Sequence, residues 1–285
     1  MKHRIDPLIQ DRAPWLFQNR PGTTLMRALL NRMLGYDRTL QIGETLQDMS
    51  ADHIMTTMGN LLARNVETTG LRHLPGYGPA LIVANHPTGI ADGIILNHVL
   101  RQVRPDIFYY ANHDILRVLP QMGEVIAPVE WRKEKRSHAK TRATMAYTRH
   151  AVDAGRLGVI FPSGRLAKRR GLSLHERPWM ASAAMIARKF DLPVIPVHIQ
   201  ARNSAMFYLF DRIHPTLRDI TLFHETLNKA RQPYQITIGE PTSASALPAK
   251  SEDGIAMLRR ATLGLAGRKA PAVSLVDATR RPSRT

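Results

Sequence analysis

From residue 80 onward, short apolar runs alternate with longer segments of helical periodicity, and this alternation limits the fold more than any other feature. ALIVAN (80–85), DIFYYAN (106–112), LGVIFP (157–162), PVIPVHI (193–199) and YQITIGE (234–240) each read as a strand. Helical patterns lie near 90–103, 138–155, 177–190 and 251–266. Strands separated by helices imply an α/β fold, a mostly parallel central sheet flanked by helices. Functional residues are then expected in loops at the carboxyl ends of the strands. The prolines of LPVIPV (192–197) predict an edge or bulged strand, because proline withholds a ladder donor.

The segment before this pattern, 1–75, reads as helical by apolar spacing. Trp15, Leu16, Phe17, Leu25, Met26, Leu29, Leu30, Met33 and Leu34 form an apolar stripe with Arg20, Arg27 and Arg32 nearby. Such a stripe covers a core, or it lies in a bilayer surface with its arginines toward anionic headgroups. The chain therefore divides into an N-terminal helical, membrane-facing segment (1–75), an α/β domain (76–266) and a basic flexible tail without periodicity (267–285).

Lys and Arg total 40 against 23 Asp and Glu, a net charge of +17. With 44% hydrophobic residues, this is a folded chain with a positive surface that faces something anionic. Cysteine is absent, which excludes a disulfide scaffold, a cysteine-based zinc site and a cysteine nucleophile. No run of 18 apolar residues suggests a spanning helix, and MKHRIDPLIQDR is too polar for a secretory signal. The histidines show no H-x-H or H-E-x-x-H spacing, so no metal is expected. Aromatics make up 6% and do not interleave with the basic runs, and no nucleic-acid motif is present, so nucleic acid is not the expected partner.

Two strand ends carry chemistry-bearing residues. Ala84-Asn85-His86-Pro87-Thr88-Gly89-Ile90-Ala91-Asp92-Gly93 puts a histidine after a strand and an acid in the first turn of the next helix. Taken alone, these are a capped loop histidine and an acid favoured by the helix dipole. As a pair, the carboxylate holds one ring nitrogen and leaves the other as a general base. Phe161-Pro162-Ser163-Gly164-Arg165, followed by Lys168, Arg169 and Arg170, is either an exposed basic loop or an anion cradle.

Taken in order, NHPTGIADG, NHDILRVLPQMG (112–123), FPSGR and LPVIPV resemble the four blocks of the glycerolipid acyltransferase family, typified by 1-acylglycerol-3-phosphate acyltransferases. The late YQITIGEP fits the same pattern, so the resemblance spans residues 70–242. It implies transfer of a fatty acyl group from a thioester to a lysolipid hydroxyl, with His86 as general base and Asp92 fixing its tautomer. Asp92→Asn is then expected to cost nearly as much as His86→Ala, through the wrong tautomer. Asn85, Gly89, Ser163, Gly164, Arg165 and Lys168 take substrate-binding positions, and Arg132 lies near where the family carries a headgroup-binding arginine.

Two departures bear on the acceptor. Five residues separate His86 from Asp92 where four are commonest, a variant associated with lyso-aminolipid acceptors such as lyso-ornithine lipid. Ser163 stands where the family has Glu, and Arg165 arrives one position early. The expected acceptor is 1-acylglycerol-3-phosphate, giving phosphatidic acid, with a lyso-aminolipid as the alternative. Acyl carrier protein or acyl-CoA is the co-substrate, no other cofactor is implied, and the expected place is the cytoplasmic face of the inner or plasma membrane, as a peripheral protein. The rival reading is a non-catalytic basic protein that binds membrane or nucleic acid.

Overall fold

The computed structural model describes residues 1–18, 20–130, 137–267 and 272–274. Four helices open the chain: α1 (Lys2–Arg12), α2 (Pro21–Leu34), α3 (Tyr36–Leu46) and α4 (Ala51–Leu62). The α/β part runs β1 (Val66–Thr69), β2 (Ala80–Ala84), α5 (Ile90–Leu100), β3 (Ile107–Asn112), α6 (Asp114–Val118), β4 (Ile126–Val129), α7 (His138–Asp153) and β5 (Leu157–Ile160). It continues with β6 (Lys168–Arg170), β7 (Ser173–His175), α8 (Ser182–Lys189), β8 (Val194–Gln200), α9 (Ala205–Ile213), α10 (Pro215–Ile220) and α11 (Leu222–Leu227). Then come β9 (Tyr234–Ile238), α12 (Ser251–Gly264) and β10 (Ala272–Ser274).

Seven strands form the central sheet in the order β1-β9-β8-β2-β5-β3-β4, every neighbouring pair parallel except β8 with β9. The inner strands are apolar on both faces, as a sheet covered on both sides requires. In β2, Ala80, Ile82 and Ala84 join one core with α1, α4 and α5, while Leu81 and Val83 join another with α8 and α12. β6, β7 and β10 make a small separate antiparallel sheet.

Three sequence expectations need correction. Residues 66–69 are a strand and not part of a helical segment: Val66, Thr68 and Thr69 are β-branched, and they pair parallel with β9. Residues 272–274, expected in an irregular tail, pair with β7 through Ala272↔His175. The proline-punctuated strand is not an edge: β8 lies between β2 and β9. Its register with β9 slips by one residue between Val197↔Ile238 and Val194↔Thr242, and Pro196 falls at the slip. There the Pro196 carbonyl still accepts Gly239 N–H at 2.9 Å, so the bulged half of the expectation holds and explains how the ring is tolerated.

His198 on β8 is 2% exposed and its Nε2 has no hydrogen-bond partner. Burial lowers its pKa from 6.5 to about 4. The unfolded chain therefore binds the extra proton first as pH falls, so stability is lost between about 6.5 and 4 and changes no further through this group below that. From pH 7 to pH 5 the wild type should lose about 2 kcal/mol more than His198→Leu in denaturant unfolding. Equal losses in both proteins would remove His198 from the account.

Candidate active site

Asn85 directly follows β2, and its side chain continues the ladder. Its Nδ2 donates to Ile199 O at 2.8 Å, and its Oδ1 accepts Ile199 N–H at 2.7 Å. The chain thus leaves the sheet at a fixed point and delivers His86 to the loop. Gly89 turns that loop into α5 with φ +110° and ψ −138°, and a Cβ there would stand 3.2 Å from Leu166 Cδ2. Only glycine adopts that backbone without strain.

Asp92, fully buried in the first turn of α5, gathers the loop around its carboxylate. One oxygen, Oδ2, accepts His86 Nδ1 at 2.9 Å, Thr88 N–H at 2.9 Å and Gly89 N–H at 3.0 Å. The other, Oδ1, accepts the Thr88 hydroxyl at 2.5 Å and the Tyr234 hydroxyl at 3.2 Å. Tyr234 also hydrogen-bonds Thr88 Oγ1; since Thr88 gives its proton to Asp92, the single Tyr234 proton is shared between Thr88 Oγ1 and Asp92 Oδ1. Burial and the Asp92 charge hold the Tyr234 phenol well above its usual pKa, so it stays a donor. With Nδ1 bonded to Asp92, the other ring nitrogen of His86 is left available as a proton acceptor.

The ring stacks on Phe161 at 4.3 Å between centroids and 24° between planes. Phe161 follows β5, the neighbour of β2, so both strand ends meet at one place. The His86 carbonyl accepts Ala167 N–H at 2.9 Å, and its N–H donates to Glu176 Oε2 at 3.3 Å. Glu176 Oε1 accepts the Trp179 indole at 2.9 Å. Burial raises the Glu176 pKa above the ordinary carboxylate range, against the pull of these donors. Ser163 stands beside the same carboxylate, although its own hydroxyl donates to Arg165 O at 2.8 Å.

His86 and Gly89 lie on the wall of a cavity of about 1690 Å³, beyond the roughly 300–1,000 Å³ usual for small-molecule sites. Ile5, Leu8, Leu46 and Met55 from the N-terminal helices line it with apolar groups. Lys140, Arg165, Arg177 and Lys189 supply cationic wall. Space of this size, largely apolar and with cations at its boundary, fits a long hydrocarbon with a charged head.

Of the residues singled out in the sequence, His86, Gly89, Gly164 and Arg165 share that cavity, and Asp92 stands behind His86. The Asn85 amide is bonded to Ile199, Ser163 is buried next to Glu176, and Lys168 is exposed on β6; none of the three is on the cavity wall. Arg132 lies outside the described residues. Sequence reasoning misses Glu176, Arg177 and the role of Tyr234. Glu176 and Arg177 belong to no motif, and only the likeness of YQITIGEP to a late strand points toward Tyr234.

The Acyltransferase family model matches residues 65–200. A lyso-glycine lipid O-acyltransferase of Phocaeicola vulgatus is 27% identical over 188 residues, covering 63% of this chain and 65% of the relative, just short of two thirds of its length. A protein of the same name from Bacteroides thetaiotaomicron is 23% identical over 244 residues, covering 83% and 87%. Among solved structures, the 1-acyl-sn-glycerophosphate (LPA) acyltransferase PlsC of Thermotoga maritima matches with a TM-score of 0.50 at 14% identity, over 86% of this chain and 96% of that one. That likeness is one of fold.

Proposed function

We propose that the chain, similar to the Acyltransferase family model over residues 65–200 and to two lyso-glycine lipid O-acyltransferases, is a glycerolipid acyltransferase that moves a fatty acyl group from an acyl thioester to the free hydroxyl of a lysolipid. The observation that carries the reading is the His86–Asp92 contact on the wall of a large apolar cavity. His86 takes the hydroxyl proton as the oxygen attacks the thioester carbonyl. The C–O bond forms, the C–S bond breaks, and the imidazolium returns the proton to the leaving thiolate. Proton transfer of this kind contributes about 10²–10⁴-fold. The Thr88 and Gly89 amides are already used by Asp92, which leaves the N–H of Ile90, a residue of the cavity wall at the start of α5, to meet the developing oxyanion. The reaction needs no cofactor, because the thioester supplies its own leaving group.

For the acceptor, we place a lyso-aminolipid such as a lyso-glycine lipid ahead of 1-acylglycerol-3-phosphate, reversing the order expected from the sequence. Both curated relatives carry that substrate in their names, and the five-residue His–Asp spacing and Ser163 lean the same way. The test offers purified protein acyl-CoA or acyl carrier protein thioester with lyso-glycine lipid, lyso-ornithine lipid and lysophosphatidate in separate reactions. Thioester loss should be fastest with the aminolipids. Transfer to lysophosphatidate alone would restore the sequence-based order, and inertness with every pair would defeat the acyl-transfer reading.

The proposed place of work is the cytoplasmic face of a membrane, held peripherally. No described helix is long and apolar enough to cross a bilayer. Leu25 and Leu29 on α2 are 74% and 59% exposed, and Leu209 and Ile213 on α9 are 55% and 61% exposed. Leu30 of α2 and Phe210 of α9 belong to one apolar cluster, and Arg20 and Arg32 flank the exposed leucines along the α2 sequence. Leu25→Ser/Leu29→Ser should release the protein from anionic vesicles in a sedimentation assay, and added salt should weaken wild-type binding. Binding indifferent to salt would assign the attachment to the apolar face alone.

A further inference from the structure

We propose that Arg177 grips the acidic end of the acceptor within reach of His86, an assignment that rests on the acyl-transfer reading above. Arg177 directly follows Glu176, and Glu176 is fixed to the catalytic loop. Its Oε2 accepts the His86 N–H at 3.3 Å and its Oε1 accepts the Trp179 indole at 2.9 Å. On the other side, the Glu176 carbonyl accepts from Arg259 of α12 at 3.3 Å. The backbone that carries Arg177 is thereby held in a set relation to the base.

The side chain lines the cavity that holds His86. Its Nε is buried and has no hydrogen-bond partner, and among the described residues no carboxylate pairs with its guanidinium. An unmatched buried donor on a charged group is costly and rarely kept without use. Arg165 on the same wall is already engaged, and Lys168 is on the exposed β6, so neither offers the same unmatched fork. A planar guanidinium meets two oxygens of one anion at once. An amino acid joined to lipid through its nitrogen presents such a pair on its carboxylate, and a lysophosphatidate presents one on its phosphate. The shared chemistry is a terminal oxyanion on a lysolipid, and Arg177 fits it from within the cavity.

The test compares wild type, Arg177→Gln and Arg177→Lys, each checked for unchanged thermal unfolding. The acceptors are lyso-glycine lipid, its methyl ester and lysophosphatidate, with an acyl thioester that the wild type uses. In Arg177→Gln, KM for an anionic acceptor should rise about tenfold or more while kcat stays within about threefold. KM for the methyl ester should not move. Arg177→Lys should recover only part of the loss, because an ammonium lacks the fork. The arm in which the rise is larger, carboxylate or phosphate, identifies the anion. An unchanged KM for anionic acceptors, or an equal loss on charged and neutral ones, overturns the assignment while leaving acyl transfer standing. A wild type inert on all three overturns both.

Discussion

His86→Ala should lower kcat for acyl transfer by about 10²–10⁴-fold and leave the protein folded. In the proposed mechanism the ring takes the acceptor proton, with its tautomer set by the 2.9 Å contact to Asp92. Folding should survive, because the connections that shape the loop run through the His86 backbone: its carbonyl to Ala167 and its N–H to Glu176. The loss of ring stacking on Phe161 should cost only about 0.5–1.5 kcal/mol beyond the area exposed. Steady-state kinetics beside a thermal melt checks both halves. A variant that keeps near wild-type turnover would defeat the mechanism.

Asp92 should separate two functions that a single substitution usually confounds. Three N–H donors converge on Oδ2, whereas Oδ1 receives two hydroxyls. In Asp92→Asn the amide oxygen can take the Oδ2 position and keep all three N–H bonds. The amide NH2 then faces Thr88 Oγ1, whose hydroxyl turns from donor to acceptor. The His86 tautomer is preserved, contrary to the wrong-tautomer loss expected from the sequence, and only the negative charge is gone. A charge-assisted hydrogen bond is worth about 1.5–3 kcal/mol, so the rate should fall roughly 10- to 100-fold with the fold retained. A fall of about 10⁴-fold would mean that the NH2 had turned toward His86. Asp92→Ala is a different case. It leaves four donors around a buried void, the Tyr234 hydroxyl keeping Thr88 Oγ1, and each orphan costs about 1–3 kcal/mol against a total stability of about 5–15 kcal/mol. That variant should fail to accumulate as soluble folded protein, which expression and circular dichroism will show.

Apolar runs and strand-end residue types make most of the sheet and the His86–Asp92 pair legible in the amino-acid sequence, because both depend on neighbours along the chain. What stays hidden depends on partners far away. Tyr234 reaches Asp92 across 142 positions and Glu176 reaches His86 across 90, and no local pattern announces either bond. β1 reads as the end of a helical segment since its four residues have a strand partner only in β9. The prolines of β8 point to an irregular ladder correctly and to an edge wrongly. A register slip accommodates a missing N–H in the middle of a sheet as well as an open side does.

The position of β9 bears on how the protein comes into being. Synthesis delivers β1, β2 and β8 long before β9, yet β9 is the strand that joins β1 to β8 and brings Tyr234 to Asp92. Until it emerges, one flank of β8 is an open edge of the kind that invites pairing with other chains. A chain halted on the ribosome before residue 234 already contains His86, Asp92 and the N-terminal helices that line the cavity, but the Asp92 carboxylate lacks one of its donors and the sheet is unfinished. Completion of the sheet and of the hydrogen bonds around Asp92 thus falls to the same late strand.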